Sequence, residues 1–307
     1  MATPMTSEQY ARAILPIIRR EWDDQFKVVS SGLESLFGVE RSSSAVEYSQ
    51  GYGDGGIIPE YNAAGAEDEP GSIQYDSFDT LFEKTFTHKE YAKGMAIERK
   101  LFDDDRAGVI RRRAQTFGKL FADTVAYHQA AVFNSAFSTV LGGDGVVLCS
   151  ASHPYSPSNS STFSNAGSSA LSYAALIATI QAGALFKSDK GVPQPSMFDR
   201  LIVPIGLQAT AYELVNAIAK PGTANNDANA LKDRELQVLV SPWLTDTDNW
   251  FMADSQLAPM HNLWFWRVNP EVDLDPASNF NLVAKYRGYM RFSYGWDDPR
   301  WIYGHSV

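Results

Sequence analysis

The side chains best able to do chemistry in this sequence are few, and their spacing suits them poorly to it. Cys149 and His153 stand four positions apart, which suggests a thiol nucleophile and its base. A catalytic thiolate needs an electropositive setting and a base oriented by a third group, usually drawn from distant segments. His153 precedes Pro154 in a polar stretch with no orienting acid evident beside it, so Cys149 is expected to be an inert residue at a strand end. Gly51-Tyr-Gly53-Asp-Gly-Gly56 spells the dinucleotide fingerprint. That chemistry needs a strand before the glycines and a helix N-terminus after them to meet the phosphates. Ile57-Ile58-Pro59-Glu60 opens no helix, and the surrounding acids repel phosphate, so a flexible hairpin is expected instead. Asp246 with Asp248, and Asp297 with Asp298, offer carboxylates to a cation. A calcium loop requires a denser acidic run with a central glycine and a closing Glu, so both pairs are read as turns or caps. No Cys/His spacing suits zinc. The expectation is a protein with no catalytic residue, no cofactor and no metal.

Charge carries a more definite pattern. The stretch Ser42 to Glu83 has nine acids, no Lys or Arg, and glycines at 51, 53, 55, 56, 65 and 71. Loops of this length inside compact domains tend to be functional or disordered. This one also carries Ile57, Ile58, Tyr61, Ile73, Tyr75 and Phe78, which suggests that it lands on something. The densest basic cluster is Arg111, Arg112 and Arg113. Consecutive positions fan around a helix, so these three should not share one partner within the fold. Glu67, Asp68 and Glu69 offer complementary charge. The expectation is an inter-subunit contact in which the acidic loop, with Ile57, Ile58 and Tyr75 as landing groups, covers the neighbour's arginines. Six of the seven tryptophans follow residue 240. Exposed, they would stack on sugars or bases; set among alternating strands, they read as core and interface bulk.

The elements that must hold these residues mix helix and strand, an α+β pattern. Near the start, Thr6 can cap a helix carrying Tyr10, Ile14, Ile17 and Ile18, with a kink or break expected at Pro16. A second short helical piece, Leu33 to Phe37, stops at Gly38. Such an arm needs a surface to lie on, expected to belong to another subunit. Extended chain is expected from Glu83 to Lys100, where Met95 and Ile97 alternate with polar and small residues. Asp103, Asp104 and Asp105 then open a long helix with Ile110, Ala114, Phe117, Phe121, Val125, His128 and Val132 on one face. About 34 residues would give a spine of roughly 50 Å. Leu148 to Gly167 reads as a surface loop. Helices follow from Ser169 to Phe186 and from Gly206 to Ala219, with strands at Leu201–Pro204, Leu236–Val240 and Trp250–Ala253. At the end Phe280, Leu282, Ala284 and Tyr286 alternate, as do Met290, Phe292, Tyr294 and Trp296.

With 307 residues, 44% of them hydrophobic, the chain can bury a sizeable core. A net charge of −10 argues against a reader of nucleic acid, although not against a container of it. The lone cysteine forms no internal disulfide, and no secretory signal or apolar run of about 18 residues is visible. A soluble protein made in a reducing cytoplasm is expected.

The order arm, acidic hairpin, strand, spine helix, α/β region and returning strands resembles the Hong Kong 97 fold of tailed-phage major capsid proteins. Local passages are more specific. Thr87-His-Lys-Glu-Tyr-Ala-Lys-Gly94 followed by Ile97-Glu-Arg-Lys-Leu-Phe-Asp-Asp-Asp105 is similar to the approach to the spine in the Mu-like major head subunits. Val132-Phe-Asn-Ser-Ala-Phe137, His153-Pro154, Asp199-Arg-Leu-Ile-Val-Pro204, Asn229-Ala-Leu-Lys232, Ser241-Pro-Trp-Leu-Thr-Asp246 and Trp301-Ile-Tyr-Gly304 resemble further landmarks, in order, over residues 45 to 304. The resemblance implies an N-terminal arm (1–41), an extended loop (42–89), a peripheral domain with the spine (90–144 and 271–307) and an axial domain (145–270). It also implies self-assembly into pentamers and hexamers of an icosahedral shell that encloses double-stranded DNA without sequence-specific contact. Assembly would take place in the host bacterial cytoplasm, with a portal, a separate scaffold and a decoration or cement protein as further partners. Some relatives cross-link through a lysine on the extended loop; Ser42 to Glu83 has none, so non-covalent locking is expected. Others carry a cleaved N-terminal scaffold, which this arm is too short to be. A phage fibre or carbohydrate-binding protein is the alternative, resting on the aromatic C-terminal region.

Overall fold

The computed structural model describes residues 7–28, 30–54, 56–58, 78–98, 100–101, 104, 107–221, 227–275 and 283–307. Helix α1, Ser7–Val28, runs unbroken through the exposed Pro16, where the sequence predicts a kink or break. Proline inside a helix costs about 3 kcal/mol. Ile18 and Trp22, four residues apart, are fully or nearly buried, and Phe26 is half-buried beside them. Each large apolar side chain buried in this way contributes roughly 1.5–3 kcal/mol, so together they outweigh the proline. The surface they cover is the chain's own second helix, α2 (Ala107–Asn134), and not another subunit. Thr6, the expected cap, and Asp103 and Asp105 lie outside the described residues.

Helix α2 has 28 residues, about 42 Å, shorter than expected. At its C-terminal end a side chain ties the helix to the segment before Trp250. Asn134 Nδ2 donates to Trp243 O at 3.0 Å, and Asn134 Oδ1 accepts the Thr245 N–H at 3.0 Å. The inward face is the expected one: Ile110, Ala114, Phe117, Phe121 and Val132 are buried, and Val125 and His128 half-buried.

Strands β1 (Gly38–Arg41), β4 (Lys89–Glu98), β11 (Asn262–Leu274) and β12 (Val283–Trp296) make a four-stranded sheet in the order β1-β11-β12-β4. Only the β1–β11 pair is parallel. Alternate residues of β12, Tyr286, Met290 and Phe292, face the helices. At Gly288, between them, a Cβ would lie 2.4 Å from the Phe121 ring; the missing side chain admits the helix and the strand continues. Phe280 and Leu282 fall outside the described residues. The sequence did not reveal β11, the 13-residue central partner; it bulges between Val268 and Glu271, next to Pro270, where a proline is tolerated in a ladder.

A second sheet orders β7 (Ala166–Gly167), β13 (Ile302–His305), β10 (Trp250–Ala253), β8 (Arg200–Val203) and β9 (Gln237–Val240). Both its faces are covered, so its strands read as continuous apolar runs. Leu201, Val203, Trp250 and Met252 pack with α3 (Tyr173–Ala184) and α4 (Gln208–Asn216); Ile202, Phe251 and Ala253 join the core under α2. The last strand, β13, pairs with β10 and β7, whereas β12, the alternating strand of the sequence, lies beneath the spine. Leu148 to Gly167, read as loop, contains the hairpin β5 (His153–Ser156) and β6 (Asn159–Phe163) besides β7. A two-stranded ribbon, β2 (Val46–Tyr52) with β3 (Thr80–Thr87), stands apart from both sheets and leads through His88 alone into β4. A short helix, α5 (Ala258–His261), precedes β11.

Candidate assembly interface

Burial disposes of the reactive candidates first. Cys149 is 3% exposed, and burial pushes its thiol far up from thiolate formation. His153 is fully buried, with Nδ1 2.6 Å from Asp144 Oδ2 and Nε2 3.3 Å from Leu148 O. Asp144 is an orienting acid that the sequence reading missed. It lies nine residues upstream, in a turn closed by the Gly142 N–H donating to Val146 O at 2.7 Å. Both ring nitrogens are occupied by oxygen acceptors, so neither is placed to take a proton from Cys149.

The glycine fingerprint binds a carboxylate of its own chain. The Asp54 N–H donates to Asp189 Oδ1 at 3.1 Å, and a Cβ on Gly53 would lie 2.6 Å from Asp189 Oδ2. Asp246 Oδ1 accepts the Asp248 and Asn249 amides at 2.9 and 3.1 Å, a turn. Asp298 caps the Arg300 amide at 2.8 Å and pairs with Arg300 Nη1 at 2.8 Å. Asp297 accepts from His261 Nδ1 at 2.9 Å and from Ser49 Oγ at 2.6 Å. Burial opposes charge on His261 and Asp297 alike, yet their hydrogen bond prevails, holding the histidine above and the carboxyl below their ordinary values. Among the described residues no group of three or more potential ligands converges on a metal site, and no helix is long and apolar enough to cross a membrane. Trp250, Trp264, Trp296 and Trp301 are at most 2% exposed, which removes them as platforms for sugar rings.

What remains at the surface is the ribbon and one side of the spine. Along β2 the period of two turns Glu47 and Ser49 toward the body and Tyr48, Gln50 and Tyr52 outward. Tyr48, Tyr52 and Phe78 are about two-thirds exposed, and past the ribbon end Ile57 and Ile58 are 78% and 91% exposed. Glu67, Asp68, Glu69 and Tyr75 lie outside the described residues.

Of the three arginines, Arg111 has a partner in its own chain: its Nε lies 3.8 Å from Glu21 Oε1 on α1, a carboxylate that also accepts from Gln115 Nε2 at 2.7 Å. The three arginines thus have no partner in common among the described contacts, and Arg111 alone is tied to the arm. Arg112 and Arg113 are exposed and rim an open groove of about 410 Å³, floored by Met95, Val109, Phe117 and Leu120 and walled by Lys93. A second hollow of about 310 Å³ adjoins it at Lys93 and Leu120. The opposite wall of both is β4, which ends its sheet. An apolar floor with a basic rim suits an acidic, partly apolar segment.

The model of a family described as phage capsid proteins matches residues 82–304. No curated protein matches the chain. Among solved structures, the capsid of bacteriophage JBD30 superimposes with a TM-score of 0.58 at 16% identity, covering 71% of this chain and 92% of that one. The virus-like particle from Pyrococcus furiosus does so at 0.56 and 10% identity, covering 94% and 97%. For the capsid of cyanophage P-SCSP1u the values are 0.57, 13%, 89% and 86%. At such identities the likeness is one of fold.

Proposed function

The chain belongs to the phage capsid protein family, with the Hong Kong 97-type fold, and from that premise we propose how it builds a shell. As a major capsid protein its work is structural: many copies close into an icosahedral container. The subunits group as pentamers and hexamers, with the four-stranded sheet and spine as the peripheral domain, the five-stranded sheet as the axial domain, and β2–β3 as the root of the extended loop. The loop of one subunit lies along the spine of the next. Ile57, Ile58 and Tyr75 fill apolar contacts there, and Glu67, Asp68 and Glu69 face Arg112 and Arg113, with Arg111 at the margin. The observation that carries this reading is the presence on one chain of a lysine-free acidic segment, whose described ends expose Tyr48, Tyr52, Ile57, Ile58 and Phe78, and of a basic-rimmed groove.

Enclosure of double-stranded DNA needs no nucleophile or cofactor, and a subunit of net charge −10 would not grip its cargo. Assembly in a bacterial cytoplasm with a separate scaffold, a portal and a decoration protein completes the proposal. Electron microscopy of the expressed protein tests it: closed shells or rings of five and six are expected, and a uniform monomer with no higher assembly would overturn it. The locking is non-covalent. Lys84, on β3 opposite Ser49, donates to Leu141 O of its own chain at 2.5 Å. Boiled shells should therefore run on a denaturing gel as one band at the monomer mass, and a ladder of multimers would refute non-covalent closure.

A further inference from the structure

Beneath α2 the two tryptophans of β11 open an aromatic array that the proposed subunit contacts do not use. Trp266 is half-buried, and its ring lies 5.5 Å from that of Trp264, which is 1% exposed. Trp264 stacks on Tyr294 at 5.3 Å with planes within 16°. The Tyr294 hydroxyl lies 2.9 Å from His128 Nδ1. The His128 ring is 5.4 Å from that of Tyr294 and 5.3 Å from that of Tyr127, which is 54% exposed on the spine. Oxidisable rings and one imidazole thus reach from the sheet to solvent. The Tyr294–His128 contact is the chemically particular step. Burial, with the nearby Lys89 charge, lowers His128 to about 4, so its ring is neutral at pH 7 and Nδ1 can accept a proton. Burial raises Tyr294 to about 12, so the phenol keeps its proton until it is oxidised. The other aromatic sets lack this step. Under α3 the rings are those of Phe163, Phe186 and Phe198, which resist one-electron oxidation. Trp250 stacks on His305, but the Tyr303 hydroxyl beside them donates to Ala166 O at 3.0 Å, and a carbonyl takes no proton.

We propose that Trp266, Trp264, Tyr294, His128 and Tyr127 form a radical relay that carries an oxidising equivalent from the sheet to the surface of the spine. An oxidising radical in the solvent takes one electron from Trp266 and becomes its anion. Trp264 passes one electron to Trp266, and Tyr294 passes one to Trp264. The Trp264 indole N–H is buried with no acceptor among the described residues, so its radical cation keeps its proton and remains a strong oxidant of Tyr294. As Tyr294 gives up the electron, its phenol proton moves to His128 Nδ1 and a neutral phenoxyl radical is left. Tyr127 then supplies an electron to Tyr294 while His128 returns the proton, and the Tyr127 phenol proton goes to water. A soluble thiol gives Tyr127 a hydrogen atom and leaves as a thiyl radical. The balance is one oxidising radical and one thiol converted to an anion, a proton and a thiyl radical, with every side chain restored. His128 only holds the proton. The core gains protection, because an oxygenated indole at Trp264 would place polar atoms where there is no room for them.

The test places the hole at the start of the relay in the unassembled full chain. A ruthenium polypyridyl photo-oxidant is tethered at Asn269→Cys, an exposed position of β11 about 10 Å along the strand from Trp266; the native Cys149 is buried and escapes labelling. After a flash with a soluble electron acceptor, tryptophanyl absorption should give way to tyrosyl absorption, and added glutathione should erase the tyrosyl signal. Tyr294→Phe keeps the ring and loses the phenol, so the tyrosyl signal should vanish and the tryptophanyl signal persist. Tyr127→Phe should still form the tyrosyl radical, on Tyr294, but shield it from glutathione. A tyrosyl signal of undiminished size in Tyr294→Phe would overturn the relay. So would glutathione quenching in Tyr127→Phe as fast as in the labelled parent, or a tryptophanyl radical that persists in that parent. Tyr127→Phe removes only an exposed hydroxyl, so its outcome decides the matter even where Tyr294→Phe loosens the core.

Discussion

His305 shows how burial sets what a side chain can do. Its ring lies on Trp250 with centroids 4.0 Å apart and planes within 5°. Nδ1 accepts the Ser169 N–H at 3.3 Å, and Nε2 faces Thr179 Oγ1 at 2.8 Å, the hydroxyl itself donating to Ala175 O at 2.8 Å. These partners require the neutral ring with its proton on Nε2. Burial lowers the pKa of His305 to about 4, and burial with Lys89 does the same for His128. A histidine depressed in the folded state contributes stability that is present above its unfolded value, about 6.5, and is lost as pH falls toward 4. His261 has the opposite sign, because its raised value favours folding until the pH climbs through it. The denaturant midpoint should therefore decline steadily from pH 7 to pH 4.5. In His305→Gln the midpoint should start lower at pH 7 and decline less steeply. Identical slopes in variant and native protein would contradict the assignment. None of this was legible in the sequence, since Ser169, Thr179 and His305 are brought together only by β13 pairing with β7. Asp144 escaped notice beside His153 for a different reason: a tight local turn between Gly142 and Val146 brings it back across nine residues.

Elements were legible wherever one face met the core and the other met water. Helix α2 shows it at steps of three and four, and β12 at steps of two. Strand β11 was not legible because Leu263, Trp264 and Phe265 are all buried, Trp264 beneath the helices and the other two against Phe86 of the ribbon. A strand covered on both faces loses its alternation. The arm was misjudged through Pro16, a local rule that long-range packing overrides. That packing depends on a close crossing: a Cβ at Gly118 of α2 would lie 2.5 Å from the Trp22 carbonyl oxygen of α1. Backbone cannot yield as a flexible side chain can, so Gly118→Ala should push the two helices apart. A loss of about 1–3 kcal/mol is expected, less the smaller gain in helix propensity that alanine brings. Gly108→Ala on the same helix, where nothing lies within 4 Å, should be neutral or stabilising. Thermal melts of the two variants check the contrast, and equal midpoints would refute the close crossing as a determinant of the arm's position.

Across the whole molecule, charge is segregated by element. Nine acids sit between Ser42 and Glu83 without a single basic residue, and the exposed Arg112 and Arg113 stand on the spine beside Lys93. Pairs of this kind contribute about 0–1 kcal/mol each when exposed, too little to hold two subunits by themselves. Under the proposed contact every subunit of a closed shell would take part twice, so a small bias per pair would multiply over the assembly. Screening reaches about 10 Å at 0.1 M salt, which makes the bias salt-dependent. Arg112→Glu with Arg113→Glu should leave the thermal midpoint of the unassembled chain unchanged, because neither side chain is buried. The same variant should assemble poorly at about 0.05 M salt and regain part of its yield at about 0.5 M, as screening relieves the new repulsion. Arg111→Glu is expected to act differently, lowering the midpoint through its contact with Glu21 on the arm. Light scattering during assembly, with the midpoint as a control, separates the two effects. Undiminished assembly of the double variant at low salt would remove the acidic loop from the spine groove and leave the apolar landing groups, Ile57 and Ile58, to account for the contact.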